Sequence, residues 1–141
     1  MKVIQFHTED TQFNLQETDK IQNWLEESTK LEGGQIAALS FIFCSDDYLY
    51  DINVEYLNHD TLTDVITFQY SEPKEDIEGD IFISIDRIKE NAEQFEVSFE
   101  HELFRVMIHG TLHLLGYGDK TPEAKTLMTE KENFYLNLLE Y

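Results

Sequence analysis

The stretch that most limits the fold is residues 35–44, QIAALSFIFC. It is apolar almost throughout, so a strand built from it has no polar face to turn toward water. Such a run, bounded by turn formers and rich in aliphatic and aromatic residues, reads as a central strand covered on both faces. A central strand needs neighbours, and three segments supply them. KVIQF (2–6) reads as a short strand, TDVITFQY (63–70) is rich in β-branched and aromatic residues, and IEGDIFISI (77–85) alternates Ile81, Ile83 and Ile85 against Phe82 and Ser84. The polar SEPKED (71–76) between the last two reads as the exposed loop of a hairpin.

The remaining segments carry helical spacing. Ile21, Trp24, Leu25, Ser28 and Leu31 recur between Asp19 and a Gly33-Gly34 stop, and Leu49, Ile52, Asn53 and Tyr56 form one face of a helix over 45–58 with Ser45 as its cap. Three more helices follow, over 85–95, over 98–115, and from Thr121 as N-cap with Pro122 in the first turn. Strands come early and helices late, which predicts an α+β fold: a small mixed sheet of about four strands packed against several helices. With 141 residues, 41% hydrophobic and 13% aromatic, the chain can build one real core, and residues 1–141 are expected to form a single domain.

Charge narrows the function classes. Asp and Glu number 29 against 10 Lys and Arg, a net charge of −19, and such a surface repels phosphate backbones. Free nucleic acid is a poor electrostatic match, and DNA binding is not expected; the acids between residues 71 and 102 read first as a solvated face. Met1 to Asp10 lack a basic start leading into an apolar segment, and no apolar run is long enough to span a bilayer, so no membrane association and a cytoplasmic location are expected. The single cysteine, Cys44, lies inside the apolar run and reads as a small core residue.

Chemistry concentrates in HGTLHLLGYGDK, residues 109–120. On a helix from Ser98 to Leu115, Arg105, His109 and His113 form one row with Glu102 near its start, and Leu103, Met107, Ile108, Leu112 and Leu115 form the docking surface. Two histidines four apart can share one metal ion, as in the HExxH metalloproteases, but here Gly110 stands where those enzymes carry the glutamate base. Glycine inside a helix costs about 1 kcal/mol relative to alanine, so Gly110 is expected to admit something close to the backbone. Gly116 follows the last periodic leucine, where a left-handed residue ends a helix. Only Tyr117, Gly118, Asp119 and Lys120 separate it from the Thr121 cap, so Asp119, the one metal-ligand type in that loop, is held beside the last helical turn. The plainer reading is a packing histidine pair and a capping aspartate; the glycine-flanked acid favours a metal site on the C-terminal helices, made of His109, His113 and Asp119. Gly118 would let the loop move inward so that the short carboxylate reaches the ion. His7, His59 and His101 read as surface residues.

These residues resemble the YbeY family of bacterial metal-dependent endoribonucleases. HGTLHLLGY, His109 to Tyr117, matches every fixed position of that part of the family signature, Thr63-Asp64-Val65 and Gly79-Asp80-Ile81 match its strand segments, and Ile52, Asn53 and Tyr56 fit the preceding helix. The resemblance implies one zinc ion at the C-terminal helices, and single-strand-specific cleavage of RNA in 3′-end maturation of small-subunit (16S) ribosomal RNA and in ribosome quality control. Ribosomal RNA and the small subunit are the implied partners. Two departures stand out: Gly118 and Asp119 replace the family's aspartate and third histidine, and Leu57 replaces a common arginine. Hydrolysis would use metal-bound water, with Arg105 as the best remaining cation near the ligand row, although pairing with Glu102 is its plainer role. Asp64 and Asp80 carry family support against the plainer roles of turn cap and structural acid. Two other functions stay open on the residues. One is a non-catalytic ribosome-assembly factor with a structural metal; the other is a non-haem iron oxygenase, since two histidines and one carboxylate also make that facial triad.

Overall fold

The computed structural model describes residues 3–57, 63–72 and 75–139. Nine elements follow in order: β1 (Ile4–Glu9), α1 (Thr18–Leu31), β2 (Ile36–Cys44), α2 (Asp46–Leu57), β3 (Val65–Gln69), β4 (Ile77–Ser84), α3 (Ile85–Phe95), α4 (Phe99–Leu114) and α5 (Pro122–Leu138). The four strands make one mixed sheet in the order β1-β2-β4-β3. β2 pairs in parallel with both β1 and β4, and β3 pairs antiparallel with β4 as the hairpin partner expected from their spacing. The α+β architecture is the one that the sequence predicts.

The apolar run is the central strand, but its covering is incomplete. Ala37 and Ala38 are exposed around an irregularity in the β2–β4 register, and burial becomes continuous only toward the carboxyl end, from Phe41 to Cys44. Leu39, Phe41 and Phe43 enter the main core with Ile81 and Ile83 of β4, whereas Cys44 joins Leu49 of α2 and Ile66 of β3 on the opposite face. The helices are thus unevenly divided: α4, backed by α1 and α5, covers one face, and α2 covers one end of the other. Burial, with the negative charges of Asp46, Asp86 and neighbouring acids, pushes the Cys44 thiol up to about 12, so it is an inert core group.

Several local expectations shift. β1 runs on to Glu9, because pairing with β2 continues to Glu9 opposite Cys44 after its apolar residues end. In α1, Thr29 is buried where Leu31 was expected; Leu31 lies at the helix end and is 60% exposed. Tyr56 of α2 is likewise exposed, beyond the edge of the smaller core. The expected ends of that helix at residue 58 and of β1 at residue 2, and His59, lie outside the described residues. His7 is exposed as expected, whereas His101 is half-buried in the first turn of α4.

Candidate metal centre

Helix α4 is the scaffold of the site. Ser98 caps it, its hydroxyl accepting from the His101 backbone N–H, and Glu100 and Glu102 place negative charge in the first turn, where the helix dipole favours it. Its middle lies against the sheet. A Cβ on Gly110 would come within 3.0 Å of Ile81 Cδ1 and Cγ2 and 3.4 Å of Thr67 Cγ2, so what comes close to the backbone there is the sheet itself. At the other end Gly116 is left-handed (φ 108°), the Tyr117 N–H donates to the Leu112 carbonyl, and the Gly116 N–H donates to the His113 carbonyl. This double closure reverses the chain within a few residues. Helix α5 then starts on its Thr121 cap, Thr121 Oγ1 accepting from the Ala124 N–H, and packs back along α4.

The closed loop brings Asp119 onto the histidine pair. His109 Nε2 and His113 Nε2 lie 3.0 Å apart, and Asp119 Oδ2 lies 3.5 Å from the first and 3.4 Å from the second. A tetrahedral ion with bonds of about 2.0–2.1 Å spaces its ligand atoms by about 3.3–3.4 Å, so this triangle has the size of one face of such a site. Among the described residues these three are the group whose ligand atoms converge in this way. Gly118, by contrast, has no positive φ, and a Cβ on it would meet nothing within 4 Å. Loop closure is therefore carried by Gly116, and the expected role of Gly118 in drawing the carboxylate inward has no counterpart in its backbone.

Hydrogen bonds on the far side of each ring decide which nitrogen faces inward. His113 Nδ1 lies 2.8 Å from the Tyr117 carbonyl, and His109 Nδ1 lies 2.7 Å from Glu132 Oε2. Both partners are acceptors, so each Nδ1 carries the proton and both Nε2 lone pairs point into the same space. With both rings neutral, two lone pairs 3.0 Å apart repel, whereas a cation between them turns the repulsion into two bonds. The residues present fit a divalent ion.

Glu132 is the functional group that sequence reasoning missed. Its side chain is 8% exposed, and its second oxygen accepts from Arg105 Nη1 at 2.7 Å. The other Arg105 terminus donates to Asn133 Oδ1 at 2.7 Å. Arg105 therefore pairs across to α5, not with Glu102 one turn away as expected, because Glu102 is turned inward and buried, within reach of Asn91 and Asp64. Burial, reinforced by the Asp64 charge, raises the Glu102 carboxyl. A signal for Glu132 was present: it shares the core-facing row of α5 with Met128, Tyr135 and Leu136, and a buried acid in such a row needs a partner.

The electrostatics add one more acid. Burial pulls His109 down, but the Glu132 hydrogen bond and charge, with Asp119 and Asp64, outweigh it and raise the imidazole. Asp64 is itself held above the ordinary carboxylate range by burial, with backbone N–H groups and His109 pulling partly back. Asp64 thus belongs to the surroundings of the centre. Asp80 does not: it alternates with Ile81, faces away from α4, accepts from the Tyr70 hydroxyl at 2.9 Å, and lines a separate cavity of about 510 Å³ with Tyr48, Ile52 and Phe82. Leu57 ends α2 and is 40% exposed.

Comparison with known proteins supplies the family. Residues 3–140 match the family model described as Endoribonuclease YbeY. The chain belongs to the YbeY endoribonuclease family. It is 48% identical over 140 residues to Endoribonuclease YbeY of Cytophaga hutchinsonii, covering 99% of this chain and 98% of that one. It is 47% identical over 133 residues to the Amoebophilus asiaticus protein of the same name, covering 94% and 90%. The solution structure of a Thermotoga maritima protein superposes with a TM-score of 0.68 at 29% identity, covering 96% of this chain and 88% of that one. No helix among the described residues is long and apolar enough to cross a membrane.

Proposed function

We propose that residues 1–141 act as one domain, a metal-dependent hydrolase of single-stranded RNA that works in 3′-end maturation of small-subunit ribosomal RNA and in ribosome quality control. The observation that carries this reading is the convergence of His109 Nε2, His113 Nε2 and Asp119 Oδ2 in a member of an endoribonuclease family. These three atoms would hold one divalent ion, zinc first. When bound, such an ion supplies Lewis acidity, acidifying a water and offsetting negative charge on the scissile phosphate. The protein's own part is to fix the ligands: Glu132 and the Tyr117 carbonyl hold the two rings, and Arg105 holds Glu132. Arg105 thus enters as the support of His109, with its donors engaged on α5. Asp119 is 41% exposed against 20% for His109 and 27% for His113, so the loop side is the face through which a phosphodiester reaches the centre.

The −19 charge favours substrate presented on a ribosomal particle, where basic proteins offset the repulsion, over bare RNA. The same charge favours a second reading, a ribosome-assembly factor whose metal only braces the fold. Bound metal and cleavage of ribosomal precursor RNA, free and in particles at matched salt, should be measured for the parent and His113→Ala. The proposal expects one tightly bound ion and particle-dependent cleavage in the parent, with both lost in a folded His113→Ala. Metal binding without cleavage of either substrate would instead support the assembly factor.

A further inference from the structure

Glu32 is the C-cap residue of α1, far from the centre in sequence, yet its side chain is only 8% exposed. Three donors grip its carboxylate. The Tyr117 hydroxyl donates to Oε1 at 2.5 Å, and both the Lys131 ammonium, at 3.1 Å, and the Tyr135 hydroxyl donate to Oε2. All three come from segments that orient the metal ligands. Tyr117 supplies the carbonyl that holds His113 and begins the loop that carries Asp119, and Lys131 immediately precedes Glu132, which holds His109. Lys131 also lies 5.8 Å from the centre of the Tyr117 ring, which closes the cluster. One carboxylate therefore joins the loop after α4 to the middle of α5, the two pieces of backbone whose relative position sets how the imidazoles face each other.

Ordinary packing does not require this arrangement. The joint between α1 and α5 is already made by Trp24 Nε1, which donates to the Tyr135 carbonyl at 2.8 Å, and the Tyr117 backbone N–H is already satisfied within the α4 terminus. What Glu32 adds is a fixed position for the Tyr117 side chain relative to α5. Burying a carboxylate is costly unless it is fully hydrogen-bonded, and here three donors on the metal-holding segments meet that need.

We propose that Glu32 is a positioning residue for the metal centre, holding the Tyr117 loop and α5 in the register at which His113, His109 and Asp119 converge. The inference rests on the metal-site reading above. Groups that touch a metal ligand directly are worth 10–100-fold in metal affinity, and Glu32 acts one contact further out, so a loss of about threefold to tenfold is expected.

The test is zinc affinity by competition with a chromophoric chelator, for the parent, Glu32→Gln, Tyr117→Phe and the double variant, with circular dichroism to verify folding. Glu32→Gln and Tyr117→Phe should each weaken zinc binding by about threefold to tenfold, and the double variant should be little worse than either. Zinc bound by folded Glu32→Gln as tightly as by the parent, or fully additive losses, would overturn the proposal. Should Glu32→Gln fail to fold, Tyr117→Phe, which removes only one hydroxyl, decides alone: unchanged zinc affinity overturns the proposal, and weakened affinity with an unchanged metal-free melting temperature supports it. Failure of the site reading is separately visible, because the parent would then bind no zinc, or Asp119→Ala would bind it equally well.

Discussion

Replacing Glu132 by glutamine tests the arrangement of the centre most directly, because it changes one oxygen to NH₂ and almost no volume. In the parent, Glu132 accepts twice, from Arg105 Nη1 and from the proton on His109 Nδ1, both at 2.7 Å. A glutamine has one acceptor, and Arg105, fixed also by Asn133, claims it. The amide NH₂ then faces His109 Nδ1, and two donors cannot share that contact. His109 must move its proton to Nε2, the atom that would bind metal. Loss of such an outer partner costs about 10–100-fold in metal affinity, or about 1.4–2.7 kcal/mol. The Arg105→Met background supplies the internal check: with the guanidinium gone, the amide can rotate, present its oxygen to His109 Nδ1 and restore the tautomer. Zinc affinity by chelator competition should therefore fall by about 10–100-fold for Glu132→Gln in the parent background, and by much less in Arg105→Met. An equal penalty in both backgrounds, or none in either, would refute the tautomer reasoning.

Three further outcomes are expected. Asp119→Ala should lose metal by elemental analysis, whereas Asp119→His should keep it and move the cleavage profile to lower pH, because a neutral ligand leaves more charge on the ion to acidify water. Gly79→Ala should cost about 2 kcal/mol or more in urea unfolding, since the new Cβ would lie 2.6 Å from the rigid Phe68 carbonyl oxygen, while Gly118→Ala, with open space around it, should change stability by less than about 0.5 kcal/mol. Asp64 has its folded-state pKa raised above 3.8 by burial, so its contribution to stability is present below that value and lost as pH rises through the folded one. Metal-free Asp64→Asn should therefore be more stable than the parent at neutral pH, with the advantage disappearing toward pH 3; an advantage that persists in acid would show that ionisation is not its cause.

Local periodicity made much of the fold and part of the site legible. A helix row puts His113 one turn after His109 whatever surrounds it, and the few residues between Gly116 and the Thr121 cap leave Asp119 nowhere to go but beside that turn. The mixed sheet was legible for the same reason: an apolar run cannot be a surface strand, and the polar link between β3 and β4 suits a hairpin. The incomplete cover over Ala37 and Ala38 was not legible, because it coincides with an irregularity in the β2–β4 register, which strand pairing and not residue pattern creates.

What only the tertiary structure decided is which distant groups hold Arg105, His109 and Tyr117. Arg105 has an acid at helical spacing in Glu102, yet pairs with Glu132, 27 residues away, because the packing of α5 on α4 brings that carboxylate nearer than the local one. Glu132 reaches His109 across 23 residues, and Glu32 reaches Tyr117 across 85. No residue pattern encodes such separations, since they follow from the crossing of whole helices over a shared core. The sequence by itself determined that His109, His113 and Asp119 come together, through the 3.6-residue helical turn and a short loop. The His109 tautomer was set by Glu132, a side chain brought alongside only after the chain has folded, while that of His113 was set locally by the Tyr117 carbonyl.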